Sequence, residues 1–316
     1  MVKHYSVLLS ESIEGLNIKK DGIYIDATLG YGGHSSEILK RIPNGHLYSF
    51  DQDKEAIEYS KERLSKIGNN YTIIYSNFVN MKEKMEELGI TKVDGILFDL
   101  GLSSPQIDDK TRGFSFMSDD VLDMRMDKSN KLDAKQVVNN YSYDELVNIF
   151  YTYGEEKLSK VIAKKIVDER AKKEIKTTKE LVDIIESSVG AKYFFKNHPE
   201  RQIFQAIRIE VNNELNTLQS VLPDAIQMLV KSGRISIITF HSLEDRIVKN
   251  IFKKYSDIDD LVKGLPEIPY EYQPIIKLVN KKPILPSKEE LQENTRSKSA
   301  KLRIIERIKD EEETKW

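Results

Sequence analysis

Three aspartates and a glycine-rich turn have the types and spacing to bind a nucleotide-like molecule. Asp26, Asp51 and Asp99 each stand at the end of a short apolar run, and the turn Leu29-Gly-Tyr-Gly-Gly33 follows the first of them. Glycine lets the backbone approach a ligand closely because it has no β-carbon. Carboxylates accept hydrogen bonds from ribose hydroxyls and attract positive groups. The pattern therefore predicts a cofactor site.

The turn is expected to lie between a strand and a helix. The run Gly22-Ile-Tyr-Ile25 is typical of a buried strand, and Ser35–Arg41 has the apolar spacing of a helix. In this order, a strand, a glycine turn and a helix point backbone N–H groups into the crevice at the end of the strand. The positive end of the helix dipole points the same way.

Two common phosphate-binding motifs do not fit this turn. A Walker A loop requires lysine after its last glycine, but His34 follows Gly33. The dinucleotide fingerprint would read Gly30-x-Gly32-x-x-Ser35, so its third glycine is missing. Asp26 would repel a pyrophosphate but suits a positive ammonium group. We therefore expect S-adenosylmethionine as the cofactor, and a nicotinamide-dependent oxidoreductase is the second hypothesis.

Asp51 and Phe78 have the types expected around an adenosine moiety. Asp51 can accept both ribose hydroxyl hydrogens, while Asp53 is better placed to cap the helix that begins at Lys54. Phe78 follows a third predicted strand, Tyr71–Tyr75. Its ring would either stack on an adenine or pack in the core.

Further polar groups follow the fourth and fifth predicted strands. The segment Asp99-Leu-Gly-Leu-Ser-Ser-Pro-Gln106 leaves the fourth strand at the edge where reacting groups gather in a doubly wound sheet. His241 follows the fifth strand and is a candidate to face the substrate, while Ser242 and Asp245 predict a capping box. The five histidines lack metal-ligand spacing and the chain has no cysteine, so no catalytic metal is predicted.

The order of apolar runs predicts an interrupted sheet. Strands alternate with helices up to Leu100, which predicts a parallel, doubly wound α/β fold. The next convincing strand is Arg234–Thr239, although usual connections have roughly 4–6 residues. Apolar spacing and capping boxes predict three helices in between. We therefore predict a discontinuous cofactor-binding domain, 1–107 and 213–316, and an inserted all-helical domain, 108–212, that recognises the substrate.

The composition points away from membranes and from whole-molecule attraction to nucleic acid. No apolar run approaches the roughly 20 residues of a membrane span, and the N-terminal residues resemble no secretory signal. We expect a cytoplasmic protein.

The net charge is −2, so contacts with nucleic acid would depend on local patches. Lys157–Lys179 is one basic stretch. Phosphate contacts are predicted from a C-terminal basic cluster, which holds Arg296, Lys298, Lys301, Arg303, Arg307 and Lys309.

Several blocks of the sequence resemble the RsmH (MraW) family. Its members are bacterial S-adenosylmethionine-dependent methyltransferases that act on N4 of a cytidine in the decoding region of small-subunit ribosomal RNA. The blocks occur in the family's order across nearly the whole chain: Asp26–His34, Phe98–Gln106, Arg112–Phe116, Leu122–Asp127, Phe204–Leu215, Phe240–Arg246 and Ser299–Arg303. The chain departs from the family pattern at Ser6, at Asp120-Val121 and at Lys298, where proline, Gly-Pro and arginine are typical.

The resemblance implies a class I (Rossmann-like) methyltransferase sheet with an inserted helical domain. It also implies S-adenosylmethionine as the cofactor and 16S ribosomal RNA, or the small ribosomal subunit, as the partner. The family's cofactor contacts fall on Gly32, Gly33, His34, Asp51, Phe78, Asp99 and Gln106.

Methylation of cytosine N4 requires help, because the nitrogen lone pair is delocalised into the ring. Acceptors for the N4 hydrogens would localise that lone pair, and we expect Asp99, Ser103 and Ser104 to supply them. A non-enzymatic RNA-binding factor with a vestigial pocket is a third hypothesis. The three crevice aspartates argue against it.

Overall fold

The structure is a computed structural model that describes residues 6–258 and 260–310, without the side chains of Ser104 and Asp260. Its contacts divide the chain into two compact units, Met1–Gly101 with Leu215–Trp316, and Leu102–Glu214. The predicted boundaries were at 107/108 and 212/213, so 102–107 and 213–214 belong to the helical unit instead. Leu102 packs against the core of that unit, which explains the earlier boundary. The sequence also predicts an acidic tail at 310–313, of which 311–313 lie outside the described residues.

The sheet of the first unit runs in the order β3-β2-β1-β4-β5-β7-β6. Strands β1 to β5 pair in parallel, and β7 pairs antiparallel with β5 and β6. The strand order reverses between β1 and β4, and open α/β sheets bind ligands at such a switch point. The predicted doubly wound α/β class is confirmed. The strands are β1 Ile23–Asp26, β2 His46–Asp51, β3 Tyr71–Tyr75, β4 Val93–Asp99, β5 Leu229–Thr239, β6 Ile276–Leu278 and β7 Lys301–Arg307.

The helices alternate with the strands and continue through the inserted unit. In chain order they are α1 Leu9–Gly15, α2 Gly33–Arg41, α3 Lys54–Ser65, α4 Met81–Glu87, α5 Ser104–Asp108, α6 Ala134–Asn140, α7 Tyr143–Thr152, α8 Ser159–Arg170, α9 Thr178–Val189, α10 Ala191–Asn197, α11 Pro199–Asn212, α12 Glu214–Met228, α13 Ser242–Ser256 and α14 Lys288–Glu293. No helix among the described residues is long and apolar enough to cross a membrane.

Neighbouring residues of a strand face opposite sides of the sheet, so each strand contributes to two cores. Ile96 and Phe98 pack with residues of α12 and α13 on one side. Tyr24 and Leu97 pack with residues of α1, α2 and α3 on the other side. This two-sided burial explains the nearly continuous apolar runs in the sequence.

The helical unit contains more helices than the sequence analysis predicted. The three predicted helices are α7, α8 and α9, whereas α11 was missed although it has 14 residues. Pro199 opens α11, and Ile203, Phe204 and Ile207 recur at helical spacing and are buried in the core of the unit. Proline at the first helical position and this periodicity were both visible in the sequence.

Candidate active site

The glycine turn between β1 and α2 depends on two left-handed residues. Gly30 has φ 50° and Gly32 has φ 73°, a conformation that costs other residues roughly 1–2 kcal/mol. Gly32 is the N-cap of α2, so its conformation starts the helix directly after the turn. A β-carbon at Gly33 would overlap the hydroxyl of Ser6. Glycine at 33 therefore lets the N-terminal segment pass close to the turn.

Asp26 shapes the turn from inside. Its side chain is fully buried, and Ser35 Oγ donates to its Oδ2 at 2.7 Å while the Thr28 amide donates to its Oδ1 at 3.1 Å. Burial raises the pKa of Asp26 to about 6. The sequence suggested that Asp26 would meet an ammonium group, but in this structure both of its oxygens are bonded within the chain.

Asp51, at the end of β2, ties the turn to the next strand. The Gly30 amide donates to its Oδ2 at 2.7 Å, and the Asp53 amide donates to its Oδ1 at 2.8 Å. Each carboxylate oxygen has capacity for a further hydrogen bond, so ribose hydroxyls remain compatible with this arrangement. Burial raises the pKa of Asp51 to about 6. Asp53 caps α3, as predicted, by accepting from the Glu55 amide at 3.0 Å.

Asp99, at the end of β4, faces His34 at the start of α2. The Asp99 amide donates to Thr28 Oγ1 at 2.6 Å, and Asp99 Oδ2 lies 3.4 Å from His34 Nδ1. Asp99 Oδ1 and His34 Nε2 are both buried and have no hydrogen-bond partner among the described residues. Unpartnered buried polar atoms are rare, and here they lie at the switch point of the sheet.

Burial makes both members of this contact neutral near pH 7. It raises the pKa of Asp99 to about 8, with further contributions from the charges of Asp26, Glu244 and Glu290. It lowers the pKa of His34 to about 4, against a hydrogen bond with the Val7 backbone that acts the other way. A cationic ligand beside Asp99 would favour the ionised carboxylate. The unpartnered atoms and the acidic surroundings therefore fit a positively charged cofactor such as S-adenosylmethionine.

Phe78 lies at the border of the core. It begins the 3-10 turn Phe78–Asn80 after β3, and its ring meets Phe98 edge to face with centroids 5.7 Å apart. It packs against the core while remaining partly exposed. The core packing expected from the sequence is present, and stacking on adenine stays a prediction.

Ser103 and Gln106 form the capping box of α5 in the helical unit. The Gln106 amide donates to Ser103 Oγ at 3.4 Å, and the Ser103 amide donates to Gln106 Oε1 at 3.0 Å. Both predicted site residues thus already have a local structural role. Ser104 is the first residue of α5, and the structure does not describe its side chain.

The capping box of α13 is one residue earlier than predicted. His241 Nδ1 accepts from the Glu244 amide at 3.4 Å, and Glu244 Oε2 accepts from the amides of Phe240 at 2.8 Å and His241 at 3.3 Å. The predicted box of Ser242 and Asp245 is therefore wrong. A capping box requires a glutamate or glutamine three residues after the N-cap residue. Glu244 meets this requirement for His241.

The C-terminal basic cluster does not form one exposed patch. Arg303 Nε lies 2.7 Å from Asp245 Oδ1, both side chains are only 13% exposed, and Lys301 Nζ lies 3.3 Å from Asp245 Oδ2. Arg307 and Lys309 are buried. Only two members are exposed, namely Arg296 and Lys298 on a 3-10 turn.

Several lysines of the basic stretch Lys157–Lys179 pair with carboxylates within it or close to it. Lys164 pairs with Asp168, and Lys179 pairs with Asp183, one helical turn away in each case. Glu169 meets both Lys165 and Lys172. The stretch therefore has the character of a solvated helix surface.

Two residues of the helical unit, missed by the sequence analysis, hold a loop together. Arg112 is buried and donates through Nη2 to the carbonyls of Arg125 at 3.1 Å and Met126 at 3.0 Å. Asn212 accepts from the Met126 amide and donates to the Met124 carbonyl, both at 2.8 Å. Three of the family-like blocks thus support one another structurally.

The doubly wound sheet, the glycine turn and the aspartates that end β1, β2 and β4 are typical of a protein that binds a nucleotide-type cofactor. The chain belongs to the MraW methylase family, whose model matches residues 1–308. The predicted family and the predicted use of S-adenosylmethionine are confirmed. The oxidoreductase hypothesis is therefore wrong.

Relatives and a solved structure were also found. Two relatives are called Ribosomal RNA small subunit methyltransferase H. The one from Exiguobacterium sibiricum is 52% identical over 98% of this chain and 100% of its own length. The one from Lactiplantibacillus plantarum is 52% identical over 97% of this chain and 98% of its own length. An rRNA methylase crystal structure from Streptococcus thermophilus has 12% identity and a TM-score of 0.42, covering 96% of this chain and 98% of that chain.

Proposed function

We propose that this protein transfers a methyl group from S-adenosylmethionine to N4 of a cytidine in the decoding region of 16S ribosomal RNA. The observation that carries the proposal is the 52% identity, over 98% of the chain, to a relative named as a small-subunit ribosomal RNA methyltransferase. The small ribosomal subunit or its RNA would be the partner, in the cytoplasm. The choice of the N4 atom and of the decoding region rests on the family-like sequence blocks.

Seven residues are proposed to hold the cofactor. Asp51 would accept from the ribose hydroxyls with the acceptor capacity left on its two oxygens. Asp99 would meet the positive methionyl end with its unpartnered Oδ1. The remaining proposed contacts come from Gly32, Gly33, His34, Phe78 and Gln106. When bound, S-adenosylmethionine supplies an electrophilic methyl group.

The protein must place N4 in line with that methyl group, at roughly 3–3.5 Å, and exclude water. The target base must first leave its stack. N4 also has to lose a proton. The ionised carboxylate of Asp99 is the proposed proton acceptor, while Ser103 and Ser104 are proposed to accept hydrogen bonds from N4–H. With a pKa of about 8, Asp99 is mostly protonated at neutral pH. A neighbouring positive charge favours its ionised form, which is the form that accepts a hydrogen bond or a proton.

Phosphate contacts are proposed for Arg296, Lys298, Lys301 and Arg303. Lys298 has an exposed position and attracts a phosphate without competition from a close carboxylate in the described part of the chain. Lys301 and Arg303 would have to break their ion pairs with Asp245 before they could bind a phosphate. RNA recognition by the helical unit is part of the same proposal.

The proposal is tested by incubating the protein and labelled S-adenosylmethionine with naked 16S RNA and, separately, with small subunits that lack the modification. Mass spectrometry of the digested RNA should identify N4-methylcytidine from the decoding region. RNA with uridine in place of the target cytidine should take up no label. Label on another atom would contradict the proposed specificity.

One variant addresses the proposed acceptors. Ser104→Ala should lower turnover at saturating cofactor at least tenfold, and near-normal turnover would remove Ser104 from the proposal. Binding of the protein to subunits without any methyl transfer would instead support the non-enzymatic hypothesis.

A further inference from the structure

The first described residues, Ser6-Val7-Leu8, run along the glycine turn and approach two of its proposed cofactor contacts. The Ser6 hydroxyl occupies the position that a β-carbon of Gly33 would need. The Val7 backbone lies close enough to the His34 side chain to raise the pKa of the imidazole, against the effect of burial. This N-terminal segment therefore helps to define where the turn and the imidazole lie.

Leu8 anchors the segment in an unusual backbone conformation. It has φ 50° and is fully buried. A branched residue in the left-handed region is strained and persists only where its surroundings fix it. Part of that fixation is apolar, from a small cluster that contains Val7, Leu8, Ile238, Ala300, Leu302 and Ile304.

The polar part of the anchor comes from Glu290 on α14. The Leu8 amide donates to Glu290 Oε1 at 2.8 Å, although the two residues are 282 positions apart. Ser287 caps α14 by accepting from the Glu290 amide at 3.1 Å. A capping box would send the Glu290 carboxylate back to the Ser287 amide, but here it bonds Leu8. One of the two hydrogen bonds of a capping box is thus replaced by a long-range bond to Leu8.

The charge of Glu290 also influences the proposed cofactor site. It is half-buried, and burial raises its pKa. Its charge in turn contributes to the raised pKa of Asp99. The carboxylate of Glu290 therefore lies near the crevice without being one of the proposed cofactor contacts.

We propose that Glu290 is a positioning residue that holds Ser6-Val7-Leu8 against Gly33 and His34 and so pre-organises the cofactor site. This inference rests on the cofactor contacts proposed above. Without the acceptor on Glu290, the Leu8 amide loses its bond and the segment samples more conformations. Cofactor binding then has to restore the order of the segment, which lowers affinity while the chemical step is preserved.

The test compares Glu290→Leu, which removes the acceptor, with Glu290→Gln, whose amide oxygen can still accept from Leu8. Glu293→Leu is the matched control, because Glu293 is exposed on the same helix. By titration calorimetry with S-adenosylhomocysteine, Glu290→Leu should raise the Kd about five- to twentyfold, as expected for loss of a hydrogen bond to a charged group. Glu290→Gln and Glu293→Leu should stay within about twofold of the wild type. Turnover at saturating S-adenosylmethionine should change little in all three variants.

Hydrogen exchange of the Leu8 amide provides a second readout that needs no variant. Saturating S-adenosylhomocysteine should slow this exchange in the wild-type protein, because coupling between ligand and segment is reciprocal. Unchanged exchange would overturn the proposal. An unchanged Kd in a folded Glu290→Leu protein would overturn it too.

An Asp51→Asn variant separates this inference from the proposed site. If Asp51→Asn weakens binding but Glu290→Leu does not, the site stands and the positioning role of Glu290 is wrong. If Asp51→Asn also leaves binding unchanged, the proposed cofactor site itself is wrong.

Discussion

His34 Nδ1 and Asp99 Oδ2 are 3.4 Å apart, yet the two side chains do not form an ion pair at neutral pH. Burial raises the pKa of Asp99 to about 8 and lowers that of His34 to about 4. Each residue also keeps a buried polar atom without a partner in the described part of the chain. Burying these polar atoms without partners costs free energy, and a charged ligand that contacts them would recover part of that cost.

The raised pKa of Asp99 predicts a specific dependence of stability on pH. The folded protein keeps a proton up to pH 8, whereas an unfolded chain releases it near pH 3.8. Stability therefore falls as the pH rises through this window. Asp99→Asn should lack this contribution and be more stable than the wild type at pH 8.5, by roughly 5–6 kcal/mol. Urea unfolding at pH 5.5, 7 and 8.5 without cofactor measures the difference. Parallel curves for the two proteins would contradict the assignment.

Two members of the C-terminal basic cluster should behave differently when they are replaced. Arg303→Ala leaves the half-buried Asp245 with only Lys301, so it should lower the free energy of unfolding by about 2–3 kcal/mol. Lys298→Ala should change stability by less than about 0.5 kcal/mol. It should also weaken RNA binding and reduce the slope of log K against log salt by about 0.7. Urea unfolding and RNA titrations at several salt concentrations measure both effects.

For Lys298, an unchanged salt slope would show that this side chain makes no phosphate contact. For Arg303, a stability change as small as that of Lys298→Ala would show that the pair with Asp245 is unimportant. Arg303→Lys serves as the control for charge, because lysine cannot reproduce the two-pronged contact.

Replacement of Ser103 should separate its capping role from a catalytic role. Ser103→Ala removes the acceptor for the Gln106 amide and should cost about 1 kcal/mol of stability. Ser103→Asn restores a capping oxygen but not a hydroxyl. If capping is the main role, Ser103→Asn should recover most of the turnover lost in Ser103→Ala. Loss of turnover in both variants, with normal cofactor affinity, would indicate instead that the hydroxyl takes part in the reaction.

Features that depend on neighbouring residues were predictable from the sequence. Strand β3 has the predicted bounds, and among the capping boxes that predict helices in the inserted unit are those of Ser142 in α7 and Thr177 in α9. Strand β5 begins at Leu229, earlier than predicted, because its first residues pair through an irregular register with β4. That pairing depends on a partner strand far away in the sequence.

Features that join distant segments were not predictable. The cap of α13 uses Glu244 because Asp245 is committed to Arg303, 58 positions away. The sequence pattern of Ser242 and Asp245 contains no sign of that partner. In the same way, Ser287 and Glu290 have the spacing of a local capping box, and only the fold brings Glu290 to Leu8.

The anchoring of Leu8 also sets an order of events during synthesis. Ser6-Val7-Leu8 leaves the ribosome long before its supports Glu290, Leu302 and Ile304. Until β7 is made, β5 lacks its antiparallel neighbour and Leu8 lacks most of its apolar cluster. Contacts between such distant segments form slowly because a long chain must be closed first. The nascent protein should therefore acquire its affinity for the cofactor only in the last stage of folding.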